Sequence, residues 1–583
     1  MQEASRRSSL EVLTRPIWFA PLLLTLSATL SYLYADRSMP IPDEGALLTA
    51  AVKILHGGVF YRDVDAYAFP GVSYLLAGMM SVFGEHLSVA RGIAGSFYCA
   101  TVLGVYACAI ALVEQRRAAL CGLSLLSLKF FAFPIYTMFF YADPSVAAAI
   151  LALALFLRHP FTGASKRLFW VGVLTGLSVV TKQSTGIYVA AVFAVVLCFP
   201  AFAHGPRRRA ARFAEVSAYG AGLLLIVGSM SAYFASQGVF GDMIRGGLLR
   251  PFTGYLPTGG ISFLPPLEWW NLGKLPSAGP IYFAQLYWEL ILHWNQLGGA
   301  MRNVYILIGE VASRALYSAI PIIYGVCAWL WLRAFRVDAG SVSGNDEEDL
   351  ARARFFSASG VSLAITLSAF PRSDFVHVIT IYPAVVLILF ALSRDSLLGR
   401  GWSRRSSPTL TQQKSVQRRR LRIETAFVAL LLITTTFLAV RYDAMLSHRL
   451  SLERANLWVK PRNAWLERLI VYIQKQVPEG DPLFVYGHEA HWYFLSDRYT
   501  PRAFSQLYPG MTGDETGEEL AALIRETRPR VIVQGVLRWP GSPEVPLYTR
   551  ELKRTLDRLY ESAPRAIRHP PNFRVLRIWR LRE

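Results

Sequence analysis

The chain has 583 residues, of which 53% are hydrophobic, and a formal net charge of +20 at pH 7. Its long and numerous apolar runs exclude an ordinary soluble domain and make a polytopic membrane protein the default class. The charge does not point to nucleic acid, because most Lys and Arg sit in short clusters between apolar runs, as cytoplasmic loops do.

The N-terminus carries Arg6, Arg7 and Arg15, then an apolar run from Ile17 to Ala35. That run is too long for a removed signal peptide and lacks a clear small-residue cleavage site, so it reads as a signal-anchor first helix. Ten more runs follow at roughly 88–113, 117–135, 143–157, 168–181, 184–203, 216–236, 315–333, 355–371, 375–392 and 424–440. A bilayer core takes about 20 helical residues, so the shorter runs borrow flanking ones. The run Gly71 to Phe83 is shorter still and starts after Pro70. Charge decides its place. If it lies at the interface, the cytoplasmic loops hold 25 Lys and Arg, against 11 in the external loops before residue 440. If it spanned, every later loop would invert and the Arg clusters would face outward. Eleven spans are therefore expected, with the N-terminus cytoplasmic.

This topology makes 36–87 the first external loop and 237–314 a long one. The long loop is rich in Gly, Pro and aromatics, including Thr258-Gly259-Gly260, Pro265-Pro266 and Trp269-Trp270. Its Tyr282, Tyr287, Trp288, His293 and Trp294 suggest interfacial helices, either as a structural cover or as a lid. The loop at 394–422, with Arg418-Arg419-Arg420, reads as a solvated linker touching anionic lipid. The five cysteines lie in or beside apolar runs, and the C-terminal region has none. After Val440 the character changes. Helices are expected over 462–476, 518–528 and 547–560, and strands over 482–486, 530–534 and 573–581. The chain thus divides into a membrane part, 1–440, and a small external α/β domain with a partly parallel sheet, 441–583.

The polar residues on the external side are the candidates for function. Asp43-Glu44 follows Pro40 and Pro42. Such carboxylates can simply satisfy a helix N-terminus, or one can deprotonate an acceptor hydroxyl while the other positions it. Asp63 and Asp65 follow Tyr61-Arg62, and Arg62 can pair with either. Asp143 precedes Pro144, a capping pattern, and a cap at this face can also meet a cavity. Lys182 interrupts two apolar runs, where it can snorkel or meet a lipid phosphate. Arg372 and Asp374 can form a simple pair, and His377 follows. His488-Glu489-Ala490-His491 does not have zincin spacing and shows no third ligand, so no metal site is read there.

Taken in order, Pro42-Asp43-Glu44, Leu55-His56-Gly57-Gly58-Val59-Phe60-Tyr61-Arg62-Asp63, Pro70-Gly71, Phe83-Gly84-Glu85 and Arg91 resemble the N-terminal signature of GT-C superfamily glycosyltransferases. The branch is the one that holds protein O-mannosyltransferases, the lipid A aminoarabinose transferase and lipopolysaccharide galacturonosyltransferases. The resemblance covers about residues 15–390. It implies a GT-C-like fold of about eleven transmembrane helices with a small C-terminal α/β periplasmic domain, in the bacterial inner membrane. It also implies an inverting hexosyl- or pentosyltransferase that moves a sugar from a polyprenyl-phosphate donor to a hydroxyl of an envelope glycan, lipid or protein. In that pattern Asp43 matches the base and Glu44 its neighbour, both read as catalytic. Asp63, Asp65, Asp143, Lys182, Arg372 and His377 are read as substrate-binding. Lys182 departs from the family's Lys-Gly-Pro-like stretch, because Gln183-Ser184 follow it. The resemblance calls for no cofactor and leaves a divalent cation open. Two other classes compete. A transporter or flippase of lipid-linked sugars predicts mid-span charges and repeated halves; Lys129 lies inside a span, but no repeat is visible. A non-catalytic assembly protein would use only its external domain.

Overall fold

The computed structural model describes residues 14–158, 165–198, 209–255, 260–278, 280–284, 286–287, 290, 299–338, 346–393, 410–503, 505–506, 517–535, 550–563 and 576–582. Each of the eleven apolar runs contains or forms a helix. These are α1 (Pro16–Leu33), α4 (Leu87–Leu112), α5 (Gln115–Phe131), α6 (Ala142–Arg158), α7 (Ser165–Thr181), α8 (Gln183–Cys198), α9 (Arg209–Ser236), α10 (Gly299–Asp338), α11 (Asp346–Leu367), α12 (Phe375–Leu392) and α13 (Leu410–Asp443). The first loop adds α2 (Pro42–Leu55) and α3 (Gly71–Phe83). Among the described residues six helices, α1, α4, α9, α10, α12 and α13, are long and apolar enough to cross a membrane. The others are 16 or 17 residues long, or, in α11, begin with an acidic run.

With lipid as solvent, helices associate through close packing rather than water exclusion. Helices α7 and α9 show this. A Cβ on Gly172 would fall 2.1 Å from the Tyr219 carbonyl, and one on Gly222 would fall 2.0 Å from the Phe169 carbonyl. The two backbones touch, so only glycine fits at either position. Ser145 on α6 hydrogen-bonds Ser178 on α7 at 2.9 Å.

The C-terminal region begins with an antiparallel hairpin, β1 (His448–Leu452) and β2 (Ala455–Val459). It continues through α14 (Trp465–Gln476), β3 (Phe484–Tyr486), α15 (His491–Ser496), α16 (Glu518–Thr527), β4 (Val531–Gly535), α17 (Arg550–Leu559), β5 (Tyr560–Ser562) and β6 (Leu576–Leu581). The four-stranded sheet runs β3-β4-β6-β5, with β3 and β4 parallel and the other pairs antiparallel. The expected partly parallel sheet is present, and the hairpin and β5 are additions to it.

One apolar core joins this region to the first loop. Leu48, Val72, Leu76 and Ala90 pack in the same cluster as Leu457, Trp465, Leu469 and Trp492. Gly45 of α2 meets α15 so closely that a Cβ would lie 2.3 Å from the His491 nitrogen. Thr49 donates to the Ala490 carbonyl at 3.2 Å. Arg454, in the hairpin turn, pairs with Glu85 at 2.5 Å and also with Asp497. The hairpin and α15 therefore fix the orientation of α2.

In the long loop, Arg314 of α10 pairs with Glu310 and donates to the carbonyls of Pro265, Glu268 and Asn271. Tyr282 and Tyr287 are buried, contrary to an interfacial placement. The reason is packing: Tyr282 reaches the Ser262 carbonyl at 2.9 Å, and the Tyr287 ring lies on Gly309. Trp270 is exposed. Thr258, Gly259, Trp288, His293 and Trp294 lie outside the described residues, as do most of 394–422 and the ends of the expected helix 547–560 and strand 573–581.

Candidate active site

Pro42 is the first helical residue of α2, and Asp43 and Glu44 occupy its first turn, where carboxylates are favoured. Their side chains part company. Glu44 is fully buried and meets Arg91 of α4 edge-on: Nε to Oε1 at 3.2 Å and Nη2 to Oε2 at 3.0 Å. The Phe139 amide donates to Oε1 at 3.0 Å. Arg91 also donates to the carbonyls of Ala35, Arg37 and Ser38, which fixes the strand of chain leading into α2. Both Glu44 oxygens are thus engaged in a buried clamp.

Asp43 is half-buried and turns toward the segment before α12. The charges of Arg372, His377 and Asp374 act on it, and Gln506 hydrogen-bonds its carboxylate. Burial pushes the Asp43 carboxyl above the usual aspartate range, while Arg372, His377 and Gln506 pull it back. Gln506 also donates to the carbonyls of Pro42 and His488 at 2.9 and 3.1 Å, so it ties both chain segments to Asp43.

Asp374 caps α12, accepting from the His377 amide at 3.0 Å. It also holds Arg372 Nε at 2.8 Å and His377 Nδ1 at 2.8 Å. Burial alone would push Asp374 up, but the charges and hydrogen bonds of His377 and Arg372 hold it well below the usual carboxylate range. Asp374 is thus held in its charged form. His488 lies within the field of Arg372, and burial aided by that charge pushes its imidazole down to about 3, so it stays neutral at ordinary pH. The loop at 261 pairs with this segment: the Ile261 amide donates to Pro371 and the Ser373 amide donates to Ile261.

Tyr141 links the second half of the site. Its hydroxyl lies 3.5 Å from His377 Nε2, and Lys182 Nζ sits 5.6 Å from its ring centroid. Asp143, two residues on, is half-buried and lies in the fields of Lys129, Lys182 and Glu44. Lys129 is buried, donates to the Tyr136 carbonyl at 3.1 Å and lies 4.1 Å from the Tyr98 ring centroid. The structure thus brings Asp43, Asp143, Lys182, Arg372 and His377 into one neighbourhood.

Asp63 and Asp65 make contacts within and between the loops. Asp63 accepts from the Val59 amide at 2.7 Å and from Arg62 Nε at 3.0 Å. Asp65 takes two contacts from Arg250 Nη1, at 2.6 and 2.8 Å, and its amide donates to Ala503. Gln183, where the motif departs from expectation, donates to the Tyr67 and Gly247 carbonyls and accepts from the Phe69 amide. It staples two loops beside Lys182. Gln506 and His488 are the site residues that sequence reasoning missed, since nothing in their spacing links them to residue 43. Among the described residues no cluster of three His, Cys, Asp or Glu is arranged to hold a metal ion.

Residues 68–232 match the family model described as dolichyl-phosphate-mannose-protein mannosyltransferase. The Archaeoglobus fulgidus oligosaccharyltransferase tethered to an acceptor peptide superposes with a TM-score of 0.50 at 11% identity, over 95% of this chain and 73% of that one. The chain has the GT-C glycosyltransferase fold. Also similar are ArnT from Cupriavidus metallidurans bound to undecaprenyl phosphate (TM-score 0.47, 14% identity, 97% and 98% of the two chains) and the mycobacterial arabinofuranosyltransferase AftD (0.44, 13%, 97% and 40%). No curated protein matches the chain in sequence. The family match includes Asp143 and Lys182 and begins after Asp43.

Proposed function

We propose that this protein is an inverting glycosyltransferase of the bacterial inner membrane. It moves a sugar from a polyprenyl-phosphate donor to a hydroxyl of an envelope glycan, lipid or protein at the periplasmic face. The observation that carries the reading is the placement of one half-buried carboxylate, Asp43, beside a fixed Arg372–Asp374–His377 group and near Asp143 and Lys182. In the reaction, Asp43 accepts the proton of the acceptor hydroxyl. The acceptor oxygen bonds to the anomeric carbon as the bond from that carbon to the phosphate oxygen breaks, and the configuration inverts. Lys182 and Arg372 meet the charge that grows on the departing polyprenyl phosphate. An Asp43 lifted by burial is a better base than a free aspartate, provided the pH keeps it ionised. The periplasmic division at about residue 440 and the cytoplasmic N-terminus belong to the same proposal, and the basic clusters support them.

Asp43→Asn tests the assignment. Purified variant and native protein are compared for transfer from a polyprenyl-phosphate sugar to membrane acceptors. Loss of about a hundredfold or more is expected for removal of a general base. Full transfer by a folded variant refutes the assignment.

A further inference from the structure

The 38–42 segment that leads into Asp43 also lines a cavity. This cavity, of about 270 Å³, opens between that segment, the end of α13, the hairpin and α14–α15. Among its walls are Pro42, Lys460, Arg462, Trp465, Glu489 and Trp492.

Glu489 is the informative residue. It is 4% exposed, and it follows β3 at the carboxyl end of the parallel β3–β4 pair, where open α/β sheets bind ligands. Its carboxyl lies flat on two glycines: a Cβ on Gly535 would fall 1.9 Å from Oε2, and one on Gly487 would fall 2.7 Å from the same atom. The backbone amides of Glu489 and His488 donate to the carboxyl, yet Oε2 has no partner among the described residues. Burial pushes the group up to about 7. The indole Nε1 of Trp492 and Nδ1 of His491 are likewise buried without a hydrogen-bond partner among the described residues. Buried polar atoms normally have partners, and a group of three unfilled ones around one cavity points to a bound molecule that supplies them.

We propose that this cavity binds one saccharide unit of the acceptor. The chemistry is that of sugar recognition. Flat apolar faces from the indoles and prolines suit the C–H face of a pyranose, and Glu489 and the indole N–H suit its hydroxyls as acceptor and donor. Lys460 and Arg462 also line the cavity and carry donor groups. The volume suits one ring. Pro42 lines the cavity and Asp43 is the next residue, so a glycan seated here continues toward the proposed base. The inference rests on the transferase reading for its meaning, but its test does not.

Saturation-transfer NMR on the full chain in detergent micelles, with methyl hexoside, methyl hexosaminide and methyl hexuronide as probes, reads the site directly. At least one glycoside is expected to bind the native protein, and to bind Glu489→Gln about tenfold more weakly, as loss of a hydrogen bond to a charged group predicts. Lys460→Met should weaken the same probe, which provides a second reading if Glu489→Gln is poorly folded. Asp43→Asn should bind it as the native protein does. Absence of transfer to all three glycosides, equal binding by both cavity variants, or displacement of the bound probe by inorganic phosphate at low millimolar concentration overturns the proposal. Retained sugar transfer by Asp43→Asn with intact glycoside binding would instead sink the transferase assignment of Asp43 and leave this site standing.

Discussion

The separation of Asp43 from Glu44 yields a sharp test. Glu44 and Arg91 are both 0% exposed, and their two contacts, with the Phe139 amide, satisfy both carboxylate oxygens. Arg91→Met removes the cation and its donors to Ala35, Arg37 and Ser38, and leaves a buried charge without a partner. Breaking a buried pair from one side costs about 3–5 kcal/mol. Glu44→Gln keeps the shape but only one acceptor, and it takes the anion from Arg91; the carbonyls of Ala35, Arg37 and Ser38 still accept from Arg91, so its cost should be smaller, about 1–3 kcal/mol. Glu44→Met combined with Arg91→Met removes both charges and should recover part of the loss. Thermal unfolding in detergent gives the ranking, with Arg91→Met lowest and the double variant above it. Transfer activity, normalised to folded protein, should be retained in Glu44→Gln, because an amide cannot act as a base and none is needed at that position. A well-folded Glu44→Gln without transfer would refute the division of roles between the two carboxylates.

Four further outcomes follow from the geometry. The acid limb of the pH profile of kcat/KM should lie above the ordinary aspartate range, since burial raises Asp43 and activity is lost as the pH falls through its pKa. Gln506→Ala removes a bond to the ionised form, so that limb should move to still higher pH, with activity restored on the alkaline side; an unmoved limb would exclude Gln506 as a partner of the base. Gly45→Val places methyl groups where the His491 backbone lies, and should lower stability by about 1–3 kcal/mol and reduce transfer together with it, as read by parallel melting and activity curves. Arg250→Ala breaks a pair about a quarter exposed on each side, so its stability cost should stay below about 1 kcal/mol and shrink further with salt.

The membrane part was legible because its signal is redundant. A span is an apolar run of nearly fixed length, and each of the eleven runs is occupied by a helix. The sheet was legible where strands are fully buried, as in Val531–Gly535, and not where they are short and polar. The hairpin 448–459 has Arg449, Ser451 and Asn456 between its buried residues and follows α13 closely, so no run of apolar residues marks it. At the site, Arg372, Asp374 and His377 lie within six residues of one another, around the start of α12, and could be read together. Gln506 reaches Asp43, and His488 reaches Gln506 and Arg372, in a region where α15 packs on Gly45, a contact between residues more than 400 positions apart in the chain. Tertiary contacts of this kind leave no trace in local spacing.

The two first-turn carboxylates show how one helix can serve both structure and chemistry. Successive residues on an α-helix point about 100° apart. With α2 fixed at Gly45 against α15, that rotation sends Glu44 toward α4 and Asp43 toward the segment ahead of α12. The helix N-terminus favours negative charge at both positions. Glu44 gains an arginine within hydrogen-bond distance and is neutralised in place. Asp43 feels Arg372, but that guanidinium is already bonded to Asp374, and His377 is bonded to the same carboxylate. The cations near Asp43 are therefore partly spent on another acid. This is why burial still wins at Asp43 and raises its pKa, and why an acidic pair that looks symmetric in sequence supplies one anchor and one candidate base. Freeing Arg372 with Asp374→Asn should pull Asp43 down and shift the acid limb of the pH profile to lower pH; a shift in the other direction would show that Asp374 does not act on Asp43 through Arg372.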